Sequence, residues 1–431
     1  MNILSRFASW GFLACIFWQQ PHDCALGNTG TFIDRQQTTD LRVVSYNVLW
    51  DSIFPDRDAV QATKFARVVN ALDPDLLNLQ EIGFPYGEDP PKTDLELLNL
   101  MNTVAPLAGG ASWYVHMGGD NVIVSKYPLS LKRTNTNPGG NKSQAIALVD
   151  LPDDQFPSDF YLMNNHYKCC GGVGSSEDAL RQQQSDTIVS WLHDARTPGG
   201  LVNLAPGTPF AILGDLNIVG GQGPLNTLLD GNIYEEWFYG SDSPPDWDGS
   251  TLTDPHPIHN ATGSTDYTWR NDFSSFDPGR LDYIIYSDSA LDVGNKFVLN
   301  TVSMTSAQRL ATGLERLDVT IGNSSSNFDH LPVVVDFRLF DFADSDFNFS
   351  RGVDGADLST WQTGFGTPSG ASRGIGDADR DGDVDGRDYL IWQRQHNNLG
   401  VQVAPVPEPA TGCMLLISFL LLARPQANQL R

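Results

Sequence analysis

Cysteine is scarce in this chain: five residues in 431. Cys15 and Cys24 stand near the N-terminus and Cys413 near the other end, so only Cys169-Cys170 remain in the body. So few thiols exclude a disulfide framework, and no Cys or His lies at a spacing that would complete a zinc site. The adjacent pair leaves two readings open, a strained vicinal disulfide in an oxidising compartment or two free thiols. Basic residues are also few, 27 Lys+Arg against 52 Asp+Glu, for a formal charge of −25. No Lys/Arg run breaks the acidic surface, which has no general attraction for polyanions, so tight non-specific DNA binding is disfavoured. Long apolar runs are missing as well. Phe7 to Trp18 and Cys413 to Ala423 are both shorter than the ~20 residues of a membrane-spanning helix.

What is present suggests export. Arg6 precedes the first apolar stretch, and Ala25-Leu26-Gly27 offers small residues at a cleavage spacing. This reads as a signal peptide over 1–27, with a membrane anchor as the alternative. Near the other end, Pro407-Glu408-Pro409 is followed by the second apolar stretch and then by Arg424 and Arg431. Residues 401–431 resemble the PEP-CTERM sorting tail of Gram-negative and planctomycete envelope proteins. That resemblance implies an exosortase-type processing enzyme and a place in the cell envelope or outside the cell. A plain C-terminal anchor is the alternative.

Between the two ends, residues 28–340 alternate strand-like and helix-like segments, the pattern of an α/β layered domain. "LRVVSYNVLW", "DLLNLQE", "VIVSKYPL", "YLMNNHY", "FAILGDLNI", "RLDYIIYS" and "LPVVVDFRLF" read as strands. "QATKFARVVNAL" has helical apolar spacing and should stop before Asp73-Pro74. "SSEDALRQQQSDTIVSWLHDA" is the clearest helix. Ser175 and Asp178 are spaced as a capping box, and Ile188, Trp191 and Leu192 share one face.

Polar residues interrupt or end these strands: Asn47, Glu81, His166, Asp215, Asn217, Asp282, and Asp329-His330 at the entrance to the last one. Asp215 and Asn217, two apart, are expected on one face of a strand. Each residue singly is an ordinary turn former or core polar group. Together, carboxylates, amides and imidazoles at the ends of buried strands suit a hard divalent cation and phosphate chemistry.

The ordered set "SYN", "LQE", "NNH", "GDLN", "RLDY" and "DHLP" resembles the endonuclease/exonuclease/phosphatase superfamily, which includes deoxyribonuclease-I-like nucleases, bacterial sphingomyelinases and inositol-polyphosphate phosphatases. The resemblance spans about 300 residues in the superfamily's chain order. It implies an α/β fold, a four-layer α/β sandwich of two mostly antiparallel sheets, with the site at one end. It further implies Mg²⁺ (or Mn²⁺) on Glu81, with Asn47 and Asp329 beside it. Asp215 and Asn217 would orient water and phosphate, and His166 would contact phosphate. Asp282 would fix the ring of His330, which then acts as base or phosphate electrophile. Some relatives carry a second acid where this chain has Leu49, so one or two metals remain open. Lys168-Cys169-Cys170-Gly171-Gly172 resembles a "HxKCCGG" variant among exported bacterial members.

Composition shifts after Phe340. "DFNFSRGVDGADLSTWQ" and "DADRDGDVDGRDYLIWQ" repeat, with Trp361 and Trp392 in matching places. In the second repeat Asp377, Asp379, Asp381 and Asp388 occupy first, third, fifth and twelfth positions of a calcium loop. Gly382 is at the sixth and Asp383 at the seventh. The first repeat places Asp346, Asn348, Ser350 and Asp357 likewise, but Arg351 replaces the glycine, so weaker binding is expected there. Residues 341–400 thus resemble a type I dockerin, a small calcium-binding helical module. The resemblance implies Ca²⁺ and a cohesin-like or envelope partner. Gly355-Ala356 and Gly386-Arg387 stand where partner-reading Ser/Thr often sit.

The expectation is therefore an exported divalent-metal-dependent phosphoesterase acting on a phosphoester substrate by metal- and histidine-assisted attack of water. The alternative is a non-catalytic cell-surface or scaffold protein that displays a retired enzyme domain through the dockerin-like module.

Overall fold

A computed structural model describes residues 28–83, 90–136, 143–319 and 328–396. The expected leader (1–27) and sorting tail (401–431) lie outside the described residues. The chain divides into two units after Asp341.

In the first unit, the apolar segments form β1 (Leu41–Asn47), β2 (Leu76–Gln80), β3 (Tyr114–Gly118), β4 (Asn121–Ser125), β5 (Leu129–Thr136) and β6 (Ser143–Val149). They continue as β7 (Phe160–His166), β8 (Phe210–Asp215), β9 (Asp282–Tyr286), β10 (Leu291–Val298) and β11 (Val333–Leu339). The helices are α1 (Ala59–Leu72), α2 (Asp94–Val104), α3 (Ser176–Arg196), α4 (Gly223–Asp230), α5 (Glu236–Tyr239) and α6 (Ser306–Thr312). One sheet runs β10-β11-β1-β2-β4-β3 and the other β5-β6-β7-β8-β9. Both are mostly antiparallel, as expected. Each holds a single parallel pair among these neighbours, β1 with β2 and β7 with β8.

Period-two alternation explains the layering. Phe160 and Leu162 of β7, Ala211 and Leu213 of β8, and Ile284 of β9 join a core shared with the first sheet. Tyr161, Met163, Phe210, Ile212, Tyr283 and Ile285 turn the other way, onto Ile188, Val189 and Leu192 of α3 and Leu225 and Leu228 of α4. On the far side, α1 contributes Phe65, Val68, Val69 and Leu72, and α2 contributes Leu97 and Met101. α1 ends at Leu72, with Asp73 left-handed (φ 44°) as its cap. The capping box expected at α3 is half formed. Ser175 Oγ accepts the Asp178 N–H (3.1 Å), while the Asp178 carboxylate turns to Gly174 N–H and Arg181 instead.

Topology decides where the site lies. The parallel pairs bring the C-terminal ends of β1 and β2, and of β7 and β8, to one edge of the sandwich. The antiparallel neighbours β4, β9 and β11 start at that same edge. His166, Asp215 and Asp282 consequently stand in one row across three strands, facing a row of Asn47, Gln80 and Asn121 in the other sheet.

In the second unit, α7 (Gly355–Gly364) and α8 (Gly386–His396) each follow an acidic loop. The sequence repeat is a structural one. Asp357 Oδ1 accepts the N–H of Phe347 and Asn348 (2.7 and 3.2 Å), and Asp388 Oδ1 accepts those of Ala378 and Asp379 (2.7 and 3.2 Å). Trp361 Nε1 donates to the Asp385 carbonyl and Trp392 Nε1 to that of Asp354. The two halves are thereby cross-linked about a small core of Phe347, Val353, Ala378 and Trp392.

Candidate active site

The residues singled out in the sequence meet at the sandwich edge, but not all through strand periodicity. β2 stops at Gln80, and Glu81 leaves it in the left-handed region (φ 65°). β8 stops at Asp215, and Asn217 is likewise left-handed (φ 47°), so a turn rather than strand alternation brings it to the site. Such backbone is sparsely populated by residues other than glycine and persists where neighbours hold it. Here a run of three further left-handed residues, Leu49, Trp50 and Asp51, supplies the hold. Asp51 N–H donates to the Glu81 carbonyl and Trp50 N–H to Glu81 Oε2 (3.1 Å).

Asp215 is the hub. Its Oδ2 lies 3.1 Å from Asn47 Nδ2, 3.5 Å from His166 Nε2 and 3.6 Å from His330 Nε2. Its Oδ1 accepts the Asn217 N–H (3.1 Å). Each imidazole is held from behind by a carboxylate. His330 Nδ1 lies 2.7 Å from Asp282 Oδ2, the pairing expected from sequence. His166 Nδ1 lies 2.7 Å from Asp120 Oδ2, a pairing that sequence reasoning missed. Asp120 stands one residue before β4, in "GGDNVIV", and is the same kind of strand-end acid as the others. Trp269 was missed too. It bridges both Gly279 and His330 through its backbone, and its indole N–H donates to Asp329 Oδ2 (3.3 Å). Beside it, Thr268 Oγ1 accepts the N–H groups of Leu281 and Asp282.

A cavity of about 390 Å³ is lined by Glu81, His166, Asp215, Asn217, Asp329 and His330 together with Trp269, Phe276 and Leu281. Among the described residues no Lys or Arg lines it, although the acids Glu81, Asp215, Asp277 and Asp329 do. Burial pushes the Glu81 carboxyl up, and the Asp329 charge adds to the effect. Burial also opposes charge on His330, but the surrounding carboxylates of Asp282, Asp215 and Asp329 outweigh it and hold the imidazole well above its ordinary range.

Hard oxygen donors without a basic side chain among them are the set a divalent cation takes. The carboxylates of Glu81 and Asp329 and the amide oxygen of Asn47 fit such an ion. Asn47 at present donates through Nδ2 to Glu81 Oε1 (3.1 Å) and accepts the Leu49 N–H at Oδ1. Ligand atoms of Asp215, Asp282 and His330 also lie within 4.8 Å of one another, but the Asp282–His330 hydrogen bond already engages that pair. In the second unit, Asp377, Asp379 and Asp388 form one such group and Asp383, Asp385 and Asp388 another. Asp381 lies outside both and pairs with Arg387 (3.3 Å). In the first repeat, Asp346 accepts the N–H of Ser350 and Arg351, and Asn348 Oδ1 also accepts that of Ser350.

A family model described as the endonuclease/exonuclease/phosphatase family matches residues 44–303, well over half of the chain. The match includes Asn47, Glu81, His166, Asp215, Asn217 and Asp282; Asp329 and His330 lie beyond it. No curated protein matches in sequence. Among solved structures, the chain is similar to ANGEL2, a 2′,3′-cyclic phosphatase, at 17% identity and a TM-score of 0.46 over 71% of this chain and 97% of that one. It is similar to an endonuclease/exonuclease/phosphatase from Bacteroides vulgatus at 13% identity, a TM-score of 0.44 and coverage of 70% and 99%. The human Nocturnin catalytic domain gives 14% identity, a TM-score of 0.42 and coverage of 70% and 95%.

Proposed function

The chain belongs to the endonuclease/exonuclease/phosphatase family, and on that footing we propose that it is a divalent-metal-dependent phosphoesterase. The observation that carries this reading is the convergence of Asn47 Nδ2, His166 Nε2 and His330 Nε2 on Asp215 Oδ2. Glu81 is the principal ligand for Mg²⁺ or Mn²⁺, with Asn47 and Asp329 beside it. The ion, when bound, neutralises phosphate charge and lowers the pKa of water. Asp215 keeps Oδ2 for the attacking water and takes its proton, while Asn217 anchors Oδ1. His166 and His330 hold phosphate oxygens at Nε2, and one imidazole N–H gives its proton to the leaving oxygen while Asp215 keeps the proton taken from water. Asp120 and Asp282, by accepting from Nδ1, fix each ring and direct its Nε2 inward.

The rim favours a small or lipid phosphodiester over a polyanion. Two arginines belong to the aromatic segment of Trp269 and Phe276, Arg270 within it and Arg280 just after it, and both are paired. Arg280 is bound by Asp254 (2.5 and 2.6 Å) and Arg270 by Asp272 (2.6 Å). The net charge of −25 acts in the same direction. Residues 341–400 act as a dockerin-like module that takes Ca²⁺ through the second loop first. Its reciprocal tryptophan hydrogen bonds and the grouped acids support that reading. A cohesin-like or envelope partner, an export leader over 1–27 and a sorting tail over 401–431 complete the proposal.

Hydrolysis of bis-p-nitrophenyl phosphate with Mg²⁺ or Mn²⁺, with and without chelator, tests the activity. A panel of nucleic acid, lipid and small phosphoesters then ranks the substrates. Turnover that stops on chelation is expected. No turnover on any phosphoester would favour a displayed, retired domain.

A further inference from the structure

Two thiols share the cavity wall with the residues assigned to hydrolysis. Cys169 and Cys170 line it with Glu81, His166 and Asp215, and their Sγ atoms are 3.1 Å apart. Both are free thiols; Cys169 is half-buried and Cys170 exposed, so a small solute reaches them from the mouth.

The backbone, not the sulfurs, keeps the pair in place. Arg181, fully buried on α3, donates through Nη1 to the carbonyls of Lys168 (3.0 Å) and Cys170 (2.7 Å). Lys168 N–H donates to Gln184 Oε1 (3.0 Å). Cys170 and Gly171 are both left-handed (φ 69° and 65°), and a Cβ at Gly171 would lie 2.3 Å from Ser175 Oγ at the cap of α3. On the His166 side, Tyr167 N–H donates to the Asp215 carbonyl (2.8 Å), and the Tyr167 carbonyl accepts from Asn217 Nδ2 (3.2 Å). The loop thus presses two sulfurs together while tied to the strand ends that carry the site. None of these anchors uses a sulfur atom. Among the described residues the one side chain that approaches a sulfur, Lys168 Nζ at 4.0 Å from Cys169 Sγ, leaves Cys170 Sγ to its neighbour alone, so stiffening the loop does not account for having two cysteines there.

We propose that Cys169 and Cys170 form a redox modification site, at which a small-molecule disulfide oxidises the pair to a vicinal disulfide and so alters how substrate fits the cavity. The inference rests on the phosphoesterase reading for its kinetic consequence, though not for its chemistry. One cysteine thiolate attacks a sulfur of the small disulfide, and one small thiol leaves. The neighbouring cysteine then attacks the mixed disulfide, and the second small thiol leaves as the Cys169–Cys170 bond forms. The pair loses two electrons and two protons, and the two small thiols carry them away. A disulfide of about 2.05 Å draws the sulfurs about 1 Å closer than the present 3.1 Å. That movement is taken up by the left-handed backbone of Cys170 and its clamp, and hence by the cavity wall. The sulfurs take no part in proton transfer at Asp215 or the imidazoles, so the change falls on KM more than on kcat.

The test uses the full chain with Cys15→Ser, Cys24→Ser and Cys413→Ser, equilibrated in glutathione and glutathione disulfide. Intact mass and peptide mapping follow closure, and steady-state kinetics on a phosphodiester follow the consequence. The expected result is a reversible loss of two hydrogens at Cys169–Cys170. A KM that differs about threefold or more between the two states, at a kcat changed less than about twofold, should accompany it. Cys170→Ser and, separately, Cys169→Ser should abolish both. If either variant fails to fold, the oxidised and reduced forms of the parent still decide. A mixed disulfide that never closes, or closure with an unchanged KM, overturns the inference. Closure in a chain that hydrolyses no phosphoester would instead overturn the phosphoesterase reading, because the mass measurement needs no activity.

Discussion

Replacing Asp120 by Asn keeps an oxygen that can accept from His166 Nδ1 but removes the charge behind the ring. A carboxylate that only orients a ring is worth less than the ring it orients; for metal-bound histidines such carboxylates are worth about 10–100-fold, whereas loss of a proton-transferring imidazole costs about 10²–10⁴-fold. Asp120→Asn is therefore expected to lower kcat less than His166→Ala and to add little on a His166→Ala background, because the two act as one unit. Strictly additive losses in steady-state kinetics would show that the 2.7 Å contact does not serve catalysis. The same logic applies to Asp282→Asn and His330→Ala. Asn47, Glu81, His166, Asp215, Asp282 and His330 were legible in the sequence because each interrupts or bounds an apolar run. Asp120 was not, because it opens a strand after two glycines and reads as a turn residue. Only the β4 register, which sets its neighbour Asn121 opposite Gln80, brings it to the site. Trp269 sits in irregular backbone with no periodicity to mark it.

At the scale of elements, the end of the sandwich opposite the site depends on Asp75, the residue before β2. Its carboxylate accepts from Arg35 Nη1 (2.5 Å), the Arg42 N–H (2.8 Å) and Lys126 Nζ (3.1 Å), joining β1, β2 and the end of β4. Burial alone would raise its pKa, but the Arg35 and Lys126 charges and the Arg42 N–H outweigh it, and the carboxyl is held below its usual value. A depressed folded pKa means stability that is present above the unfolded value near ~4 and is lost as pH falls through the lower folded value. Asp75→Asn should cost about 1.5–3 kcal/mol at neutral pH, because charge-assisted hydrogen bonds are lost, although the part-exposed Arg35 and Lys126 keep Asp73 as a second partner. It should also flatten the acid side of the Tm-against-pH curve. A variant whose Tm falls with acid as steeply as the parent's would contradict this. The strands and α1 and α3 were legible from apolar period and helix stops. The left-handed turn at Leu49–Asp51 and the exits at Glu81 and Asn217 were not, because none of these left-handed positions is itself a glycine that would announce positive φ.

For the whole molecule, the two-unit division follows the composition shift after Phe340 and the repeat beyond it. The paired tryptophan bonds show why the repeat was legible, since matching residues make matching contacts. The second-loop acids repel one another, and Asp377 Oδ1 is buried without a hydrogen-bond partner. A fragment spanning 341–400 should therefore be largely unfolded in chelator and gain helix and a Trp fluorescence shift with Ca²⁺, and much less with Mg²⁺. Asp377→Ala should blunt that response far more than Ser350→Ala. Circular dichroism that is the same with and without Ca²⁺ would remove the calcium reading and leave the first unit's chemistry untouched.

The most direct test of the central claim is a Mg²⁺ or Mn²⁺ titration of phosphodiester hydrolysis by the wild-type chain and by Glu81→Gln, with folding of both verified by thermal melts. The account predicts saturable metal-dependent turnover in the wild type. It predicts that Glu81→Gln, folded but lacking a charged oxygen ligand, loses turnover by at least about 10²-fold or needs far more metal to recover it. Equal turnover at equal metal in a folded Glu81→Gln protein, or wild-type turnover that persists in chelator, would contradict it.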